Sequence, residues 1–295
     1  MHVVPAPRPA RLRPVHFDTA YFRFGRHSRR IMASSSNFPG NLLGTFLSEA
    51  GSIGAFGLRA IRVAFQSPFE LREVVRQIYV IGWRSLPLVV TSGMAIGVVL
   101  SMHTRATMER FGAEALIPAA LSIALIAETG PLMTGLLVSG RVGAGIGAEL
   151  GGMRVTEQID ALESLAVDSF HYLAVTRIVA CMIAMPILTT AMNFSGLVGG
   201  FLAETTVSNV SLRLYFHQAF AGIGFVEFVA PTLKTVVFGF IIGTISSCLG
   251  YTTTGGSEGI GRASTRSVVL SSMGLIVVNV LLVRMIFLIF PGGAM

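Results

Sequence analysis

The stretch Glu128–Arg177 reads ETGPLMTGLLVSGRVGAGIGAELGGMRVTEQIDALESLAVDSFHYLAVTR and decides how the chain is organised. An apolar run with one acid leads into a glycine-rich segment, then into a short acidic amphipathic segment, and then into a new apolar run. Five of the chain's fifteen acids lie within twenty residues here: Glu149, Glu157, Asp160, Glu163 and Asp168. A polar helix between two membrane spans is well placed to contact a soluble partner.

The composition predicts an all-α protein with several membrane spans. The chain of 295 residues is 52% hydrophobic and 13% charged, with a mean hydropathy of +0.70. Soluble domains carry about 25% charged residues, and a helical span needs roughly 20 apolar residues. The net charge of +7 does not indicate nucleic-acid binding, because twelve of the 22 basic residues lie in the first 84 positions. That asymmetry favours a cytoplasmic N-terminus on an anionic membrane.

Charge-free runs predict five spans, at about 85–104, 115–141, 176–203, 233–254 and 267–290. Residues 1–36 are predicted to be a basic disordered tail, with a transit peptide as the alternative. Residues 37–83 read as amphipathic interfacial helices broken at Pro68, ahead of a five-span domain at 84–291. The alternative is that the uncharged residues 31–48 form a span. Glycines four residues apart indicate close helix crossings, within one bundle or at a dimer face.

The acidic segment predicts a short cytoplasmic helix at about 153–165. Thr156 is the expected N-cap, and Glu157 and Asp160 suit the first turn. The apolar face is predicted to hold Ile159, Leu162, Leu165 and Ala166. The helix could lie on lipid, but anionic headgroups would repel its acidic face, so docking into a basic or polar protein groove is preferred.

Glu128 is an acid inside a predicted span, which is costly and marks a functional hypothesis. Its candidate partners are Lys234, the only lysine in the chain, and Arg284. Three interpretations stay open: a structural ion pair, ion or proton coupling, and a contact to a polar substrate headgroup.

Enzyme and cofactor motifs are not found in the sequence. The loop 255–261, GGSEGIG, has no strand and lysine context, so it is not a nucleotide-binding P-loop. His103, His171 and His217 lack metal-ligand spacing, and Cys181 and Cys248 lie in apolar runs that predict buried thiols. We therefore predict no catalytic residue, no metal site and no cofactor bound by this chain.

The stretch 128–177 resembles the signature of the MlaE/YrbE-type permeases, the membrane subunits of ABC lipid transporters associated with MCE proteins. The likeness extends over roughly 70–290, through QIYVIGWRSLPLVVTSGMAIGVVLS (77–101), LKTVVFGFIIG (233–243) and GGSEGIGRASTRSVVLSS (255–272). Glu128 and Lys234 match charged positions of the family. Asn279 stands where some members carry an acid and Ala127 where some carry Arg, so any charge network is smaller here.

The resemblance implies a homodimer of five-span subunits, each docking one ATPase that holds ATP and Mg, with an MCE-protein ring on the outer face. Lipid would occupy a cavity between the two permeases. The residues implied to contact the ATPase are Met153, Arg154, Thr156, Glu157, Gln158, Asp160, Ala161 and Glu163. Those implied to line the lipid cavity are Met94, Val98, Ser101 and Met102.

The expected function is that of a non-catalytic permease subunit of an ABC-type phospholipid transporter. The expected location is a bacterial inner membrane, with a chloroplast inner envelope as the alternative. Two rival functions are an ATP-independent channel or ion-coupled secondary transporter, which would use Glu128, and an intramembrane enzyme.

Overall fold

The computed structural model describes residues 42–64, 70–208 and 210–289, and these residues form helices and no strand. The contacts divide the chain into Met1–Ser52, whose described residues are helical, and Ile53–Met295. The helices are α1 (Leu42–Ala64), α2 (Leu71–Phe111), α3 (Glu114–Val155), α4 (Gln158–Ser164), α5 (Phe170–Ser208), α6 (Leu212–Ala221), α7 (Phe225–Tyr251) and α8 (Gly256–Ile289). Five of them, α2, α3, α5, α7 and α8, are long and apolar enough to cross a membrane, which confirms the predicted fold class.

Glycines bring α2 and α7 against α5. A Cβ at Gly93 would lie 2.7 Å from the Met192 carbonyl oxygen, and one at Gly97 would overlap the Gly196 carbonyl. Nearer the start of α5, a Cβ at Gly243 would lie 2.8 Å from the Ile178 Cα. Only the absence of side chains permits such approaches. The paired glycines of α2, α5 and α7 therefore serve packing within one chain.

The core lies where α5 meets α2, α3 and α7. Phe238, Met185 and Leu188 are almost completely shielded and belong to one apolar cluster. α8 packs on α3, where the Ser139 hydroxyl donates to the Val268 carbonyl at 3.3 Å. Large apolar side chains on the outside of α5 and α8 remain exposed, as lipid-facing residues do.

Several boundaries differ from the sequence-based expectation. α2 runs without a break from Leu71 into the first span, so the amphipathic residues 71–83 and that span are one helix. α8 begins at Gly256, so only the first residue of the predicted loop at 255–261 lies outside a helix, and the connection from α7 to α8 consists of residues 252–255. Gly255 and Gly256 have φ of +95° and +65°, a backbone that favours glycine and allows the tight turn. The tail at 1–36 and the break at Pro68 lie outside the described residues.

α3 is much longer than a membrane is thick. Its 42 residues correspond to roughly 63 Å of helix, against about 30 Å of hydrocarbon. The helix contains π-helical turns at Leu125–Thr129 and Ser139–Gly143, and α5 begins with another at Phe170–Val175. Such turns often occur at functional sites, and the first contains Glu128. The C-terminal part of α3 therefore reaches beyond the membrane and holds α4 at the end of the bundle.

Candidate functional site

The connection from α3 to α4 is a sharp turn centred on Glu157, which has a left-handed φ of +59°. The Thr156 hydroxyl donates back to the Gly152 carbonyl at 2.8 Å and does not cap α4. The predicted Thr156 cap is therefore wrong, because the side chain satisfies the end of the preceding helix. Met153 and Arg154 belong to the last turn of α3, so the predicted helix at 153–165 is in fact the end of one helix and the whole of a shorter one.

α4 is anchored by its apolar side. Ile159 is fully buried in the main core cluster, and Leu162 packs against the same cluster. The helix ends at Ser164, and Ala166 takes a left-handed φ of +60°. Leu165 is consequently 75% exposed, which corrects the prediction that Leu165 and Ala166 continue the buried face.

Polar contacts fix the orientation of α4. Arg154 Nη1 lies 2.5 Å from Asp160 Oδ1. At the other end of the helix, Glu163 Oε1 accepts from the Ser169 hydroxyl at 2.7 Å and from the Tyr251 hydroxyl at 3.1 Å. Glu163 is thus tied to the start of α5 and the end of α7. The exposed residues of α4 and its preceding turn are Thr156, Glu157, Gln158, Asp160, Ala161, Glu163 and Ser164.

A buried arginine that the sequence reasoning missed joins the two long helices on either side of α4. Arg177 is 3% exposed; its Nη2 donates to Glu149 Oε1 at 2.7 Å, and its Nη1 donates to the Leu173 carbonyl at 2.8 Å. The pair joins the end of α3 to the start of α5. The spacing of 28 residues between the partners gave no local signal, and only the position of both charges at the ends of the flanking apolar runs pointed to them.

A second site lies within the spans around Glu128. Lys234 Nζ lies 2.7 Å from Glu128 Oε2 and also donates to the Ala127 carbonyl at 3.0 Å. Asn279 Nδ2 donates to Glu128 Oε1. The structure thus joins Glu128 to Lys234, one of its two candidate partners. Arg284 is exposed and makes no ion pair within the described residues.

Burial within this cluster is uneven. The Lys234 side chain is 2% exposed, whereas that of Glu128 is 43% exposed. The lysine charge is therefore shielded inside the chain and compensated by one carboxylate. The Glu128 side chain is therefore partly exposed, while both of its carboxylate oxygens are bonded within the chain. The arrangement can hold the helices in register, and the exposed part of the side chain can accept a further hydrogen bond.

The four residues of α2 that were predicted to line a lipid cavity differ in how deeply they are buried. Met94 and Met102 are exposed, at 36% and 62%, and Val98 is partly buried. Ser101 is fully buried, and its hydroxyl donates to Glu204 Oε1 at 2.8 Å. Ser101 thus faces the interior of the subunit, and the two methionines present the outward surface.

Ser101 belongs to a buried polar cluster at the end of the bundle opposite α4. Arg105 Nε donates to Glu204 Oε1 at 3.4 Å, and its Nη2 pairs with Glu204 Oε2. Arg105 Nη1 also bonds Glu109 at 2.9 Å. Tyr215 of α6 lies nearby, and burial together with the charge of Glu204 raises the pKa of its hydroxyl. Arg105 and Glu204 stand 99 residues apart, and the sequence reasoning did not pair them.

Metal-binding chemistry finds no support among the residues that the structure describes. No group of three or more His, Cys, Asp or Glu side chains in them could hold an ion. Cys181 and Cys248 are both buried within the helices and are not joined in a disulfide.

Known proteins resemble this chain over most of its length. Residues 74–285 match the family described as Permease MlaE. A probable ABC transporter permease protein of Rickettsia felis is 35% identical over 257 residues, which is 87% of this chain and 99% of the relative. A probable ABC transporter permease protein of Synechocystis is 32% identical, over 75% of this chain and 84% of the relative. The Arabidopsis thaliana protein TRIGALACTOSYLDIACYLGLYCEROL 1, chloroplastic, is 31% identical, over 73% of this chain and 62% of that protein.

Proposed function

Since this chain belongs to the MlaE permease family and is an ABC transporter permease, we propose that it is the membrane subunit of a phospholipid transporter powered by a separate ATPase. Two copies would enclose a lipid cavity, and an MCE-type lipid-binding protein would receive or deliver the lipid at the end opposite α4. The membrane would be a bacterial inner membrane with the α4 end in the cytoplasm. The chloroplast relative supports an inner envelope membrane as the alternative.

The observation that carries the proposal is the way α4 is presented. Ile159 fastens the helix to the core, and Asp160 and Glu163 are bonded to Arg154 and to the pair Ser169 and Tyr251. Because α4 is fixed to the bundle in this way, a movement of a soluble partner bound to it would be transmitted to α3, α5 and α7. Its outer surface keeps polar groups free for such a partner.

A lipid substrate is supported by two features. Met94 and Met102 expose flexible apolar side chains on α2, which suit contacts with acyl chains. The Arabidopsis relative bears the name of a galactolipid. We therefore assign the transported molecule to the polar lipids, with phospholipid as the specific proposal.

The experiment that tests the ATPase contact changes only the outer surface of α4. The double variant Glu157→Lys/Ala161→Arg places two cations on exposed positions and leaves the inward contacts of Asp160 and Glu163 intact. We expect co-purification of the ATPase and ATP-dependent lipid transfer to fall together, by roughly tenfold or more, because an interfacial charge mismatch costs several kcal/mol.

The matched control is Glu114→Lys, which reverses the charge of an exposed acid at the start of α3. This residue lies at the end of α3 that is farther from α4. It should leave ATPase co-purification unchanged. If the double variant retains a full complement of ATPase and normal lipid transfer, α4 is not the coupling element and the proposal fails.

The exposed part of the Glu128 side chain favours one rival, an ion-coupled transporter that works without ATP. Liposomes containing this chain alone, with an imposed proton or sodium gradient, separate the two proposals. Gradient-driven lipid movement that is abolished in the double variant Glu128→Gln/Lys234→Met, which leaves no member of the pair charged, would support the rival. The ABC mechanism is supported if no gradient-driven lipid movement occurs and if lipid is transported once the ATPase and ATP are added.

A further inference from the structure

One face of α2, just ahead of the first span, combines exposed cations with exposed aromatic rings. Arg72, Arg76, Tyr79 and Trp83 follow the spacing i, i+4, i+7, i+11, which places them within about 60° of one another around the helix. All four are exposed, whereas Val74, Gln77, Ile81 and Ser85 on the opposite side are buried. This face therefore points away from the chain's own core.

The two aromatic rings form a platform on that face. Tyr79 and Trp83 stack with their ring centroids 6.4 Å apart and their planes 7° from parallel. Their exposed fractions are 63% and 62%. Tyr and Trp in such positions favour the headgroup layer, because each joins an apolar ring to a polar group.

The position along the helix agrees with that layer. The residues between Arg84 and Arg105 are uncharged, and their length of roughly 30 Å matches the hydrocarbon thickness. Trp83 thus lies where the hydrocarbon ends. Arg84 adjoins it, and Arg76 is roughly 10 Å further along the axis, within about one Debye length of the phosphates.

Most of the positive charge on this face is not neutralised by an acidic side chain among the described residues. Arg72 and Arg84 make no ion pair among the described residues, and Arg76, with its side chain 71% exposed, meets only Glu73 at 3.3 Å. Arg59 of α1 differs, because its guanidinium lies 4.3 Å above the Phe170 ring and is engaged inside the bundle. Three exposed arginines, Arg72, Arg76 and Arg84, thus lie close to the aromatic pair along α2.

We propose that the face formed by Arg72, Arg76, Tyr79 and Trp83, with Arg84 at its flank, binds the anionic headgroups of phospholipids in the leaflet at the α4 end of the bundle. The rings would lie among the glycerol and carbonyl groups, and the guanidinium groups would meet the phosphates. Bound anionic lipid would hold the start of α2 against the membrane surface beside α4. This assignment does not depend on the transported substrate or on the ATPase.

Trp83 is the only tryptophan of the chain, so its fluorescence reports on this face without any engineered probe. The full-length protein is reconstituted into vesicles of phosphatidylcholine with a minority of phosphatidylglycerol, with brominated acyl chains on one lipid or the other. Bromine quenches the indole on contact, and quenching per brominated molecule measures how often each lipid is its neighbour.

We expect brominated phosphatidylglycerol to quench Trp83 more strongly per molecule than brominated phosphatidylcholine, by up to roughly fivefold for each arginine in contact at low salt. Added salt should lower the ratio. The triple variant Arg72→Gln/Arg76→Gln/Arg84→Gln, which removes every arginine of this face, should bring the ratio close to one. Arg213→Gln, which removes an exposed arginine of α6, should leave it unchanged.

Three results would overturn the proposal. Equal quenching by the two lipids would mean that the face does not select anionic headgroups. A ratio that survives the triple variant would place the selectivity elsewhere. No quenching by either lipid would mean that protein covers Trp83. None of these results requires an ATPase or lipid transfer, so the ABC permease assignment is tested separately.

Discussion

Arg105 offers a sharp energetic test, because one guanidinium meets a buried carboxylate and an exposed one. The Glu204 side chain is 4% exposed, that of Glu109 is 46% exposed, and that of Arg105 is 12% exposed. Arg105→Met leaves Glu204 buried, with the Ser101 hydroxyl as its one remaining side-chain partner among the described residues. Removing one member of a buried ion pair costs about 3–5 kcal/mol.

The companion substitutions should cost less. Glu204→Gln keeps the shape and leaves Arg105 paired with Glu109, so the loss should be about 1.5–3 kcal/mol, the contribution of a charged hydrogen bond. Glu109→Gln removes an exposed i, i+4 pair and should cost no more than about 1 kcal/mol. The double variant Arg105→Met/Glu204→Gln should be more stable than the sum of its parts by about 2 kcal/mol, because it leaves no buried charge unpaired.

The assay is thermal unfolding of the purified variants in one detergent. At about 2–4 °C per kcal/mol, Arg105→Met should lower Tm by roughly 6–20 °C, and Glu109→Gln by no more than about 4 °C. Equal shifts for Glu204→Gln and Glu109→Gln would refute the reasoning, since burial would then not separate the two carboxylates. Strict additivity in the double variant would refute the direct coupling.

Two further substitutions test the packing and the intramembrane pair by the same unfolding measurement. Gly243→Ala would bring a methyl group 2.8 Å from the Ile178 Cα and should cost about 1–3 kcal/mol. A methyl group at Gly82 would meet no atom of the described residues within 4 Å, so Gly82→Ala should be neutral or stabilising by up to about 1 kcal/mol. Equal Tm values for the two variants would contradict the close helix contact. Glu128→Gln removes the carboxylate that pairs with Lys234, whose side chain is 2% exposed, and should cost about 3–5 kcal/mol of stability. Adding Lys234→Met should recover most of that loss. A double variant less stable than Glu128→Gln would show that the two residues are not coupled.

The helical class and the number of spans follow from local sequence, and the structure confirms both. Runs such as Ser85–Thr104 leave the backbone no way to satisfy its hydrogen bonds in lipid except as a helix. The pairing of Glu128 with Lys234 was also within reach, because charges are rare inside spans and few combinations exist. The positions of the helix ends were harder to predict from the sequence. The π-helical and left-handed turns at Leu125–Thr129 and Glu157 have no strong local signature.

The surface of α4 shows where periodicity alone falls short. A regular helix would carry Leu165 and Ala166 on the same side as Ile159, but the chain leaves the helix at Ser164. Glu163 is exposed, and its carboxylate also accepts from Ser169 and Tyr251. Tyr251 lies 88 residues away, so no window of sequence around α4 predicts this contact.

By itself the sequence determined an all-α chain with five apolar helices and an acidic segment between the second and third. The physical reason is that hydrophobicity and helical period act over neighbouring residues. Only the tertiary structure decided the partners of Ser101, Arg177 and Glu204. Each is buried, and each bonds a residue brought near by helix packing. The glycines of α2, α5 and α7 allow that packing, because they let backbones meet where any side chain would hold them apart.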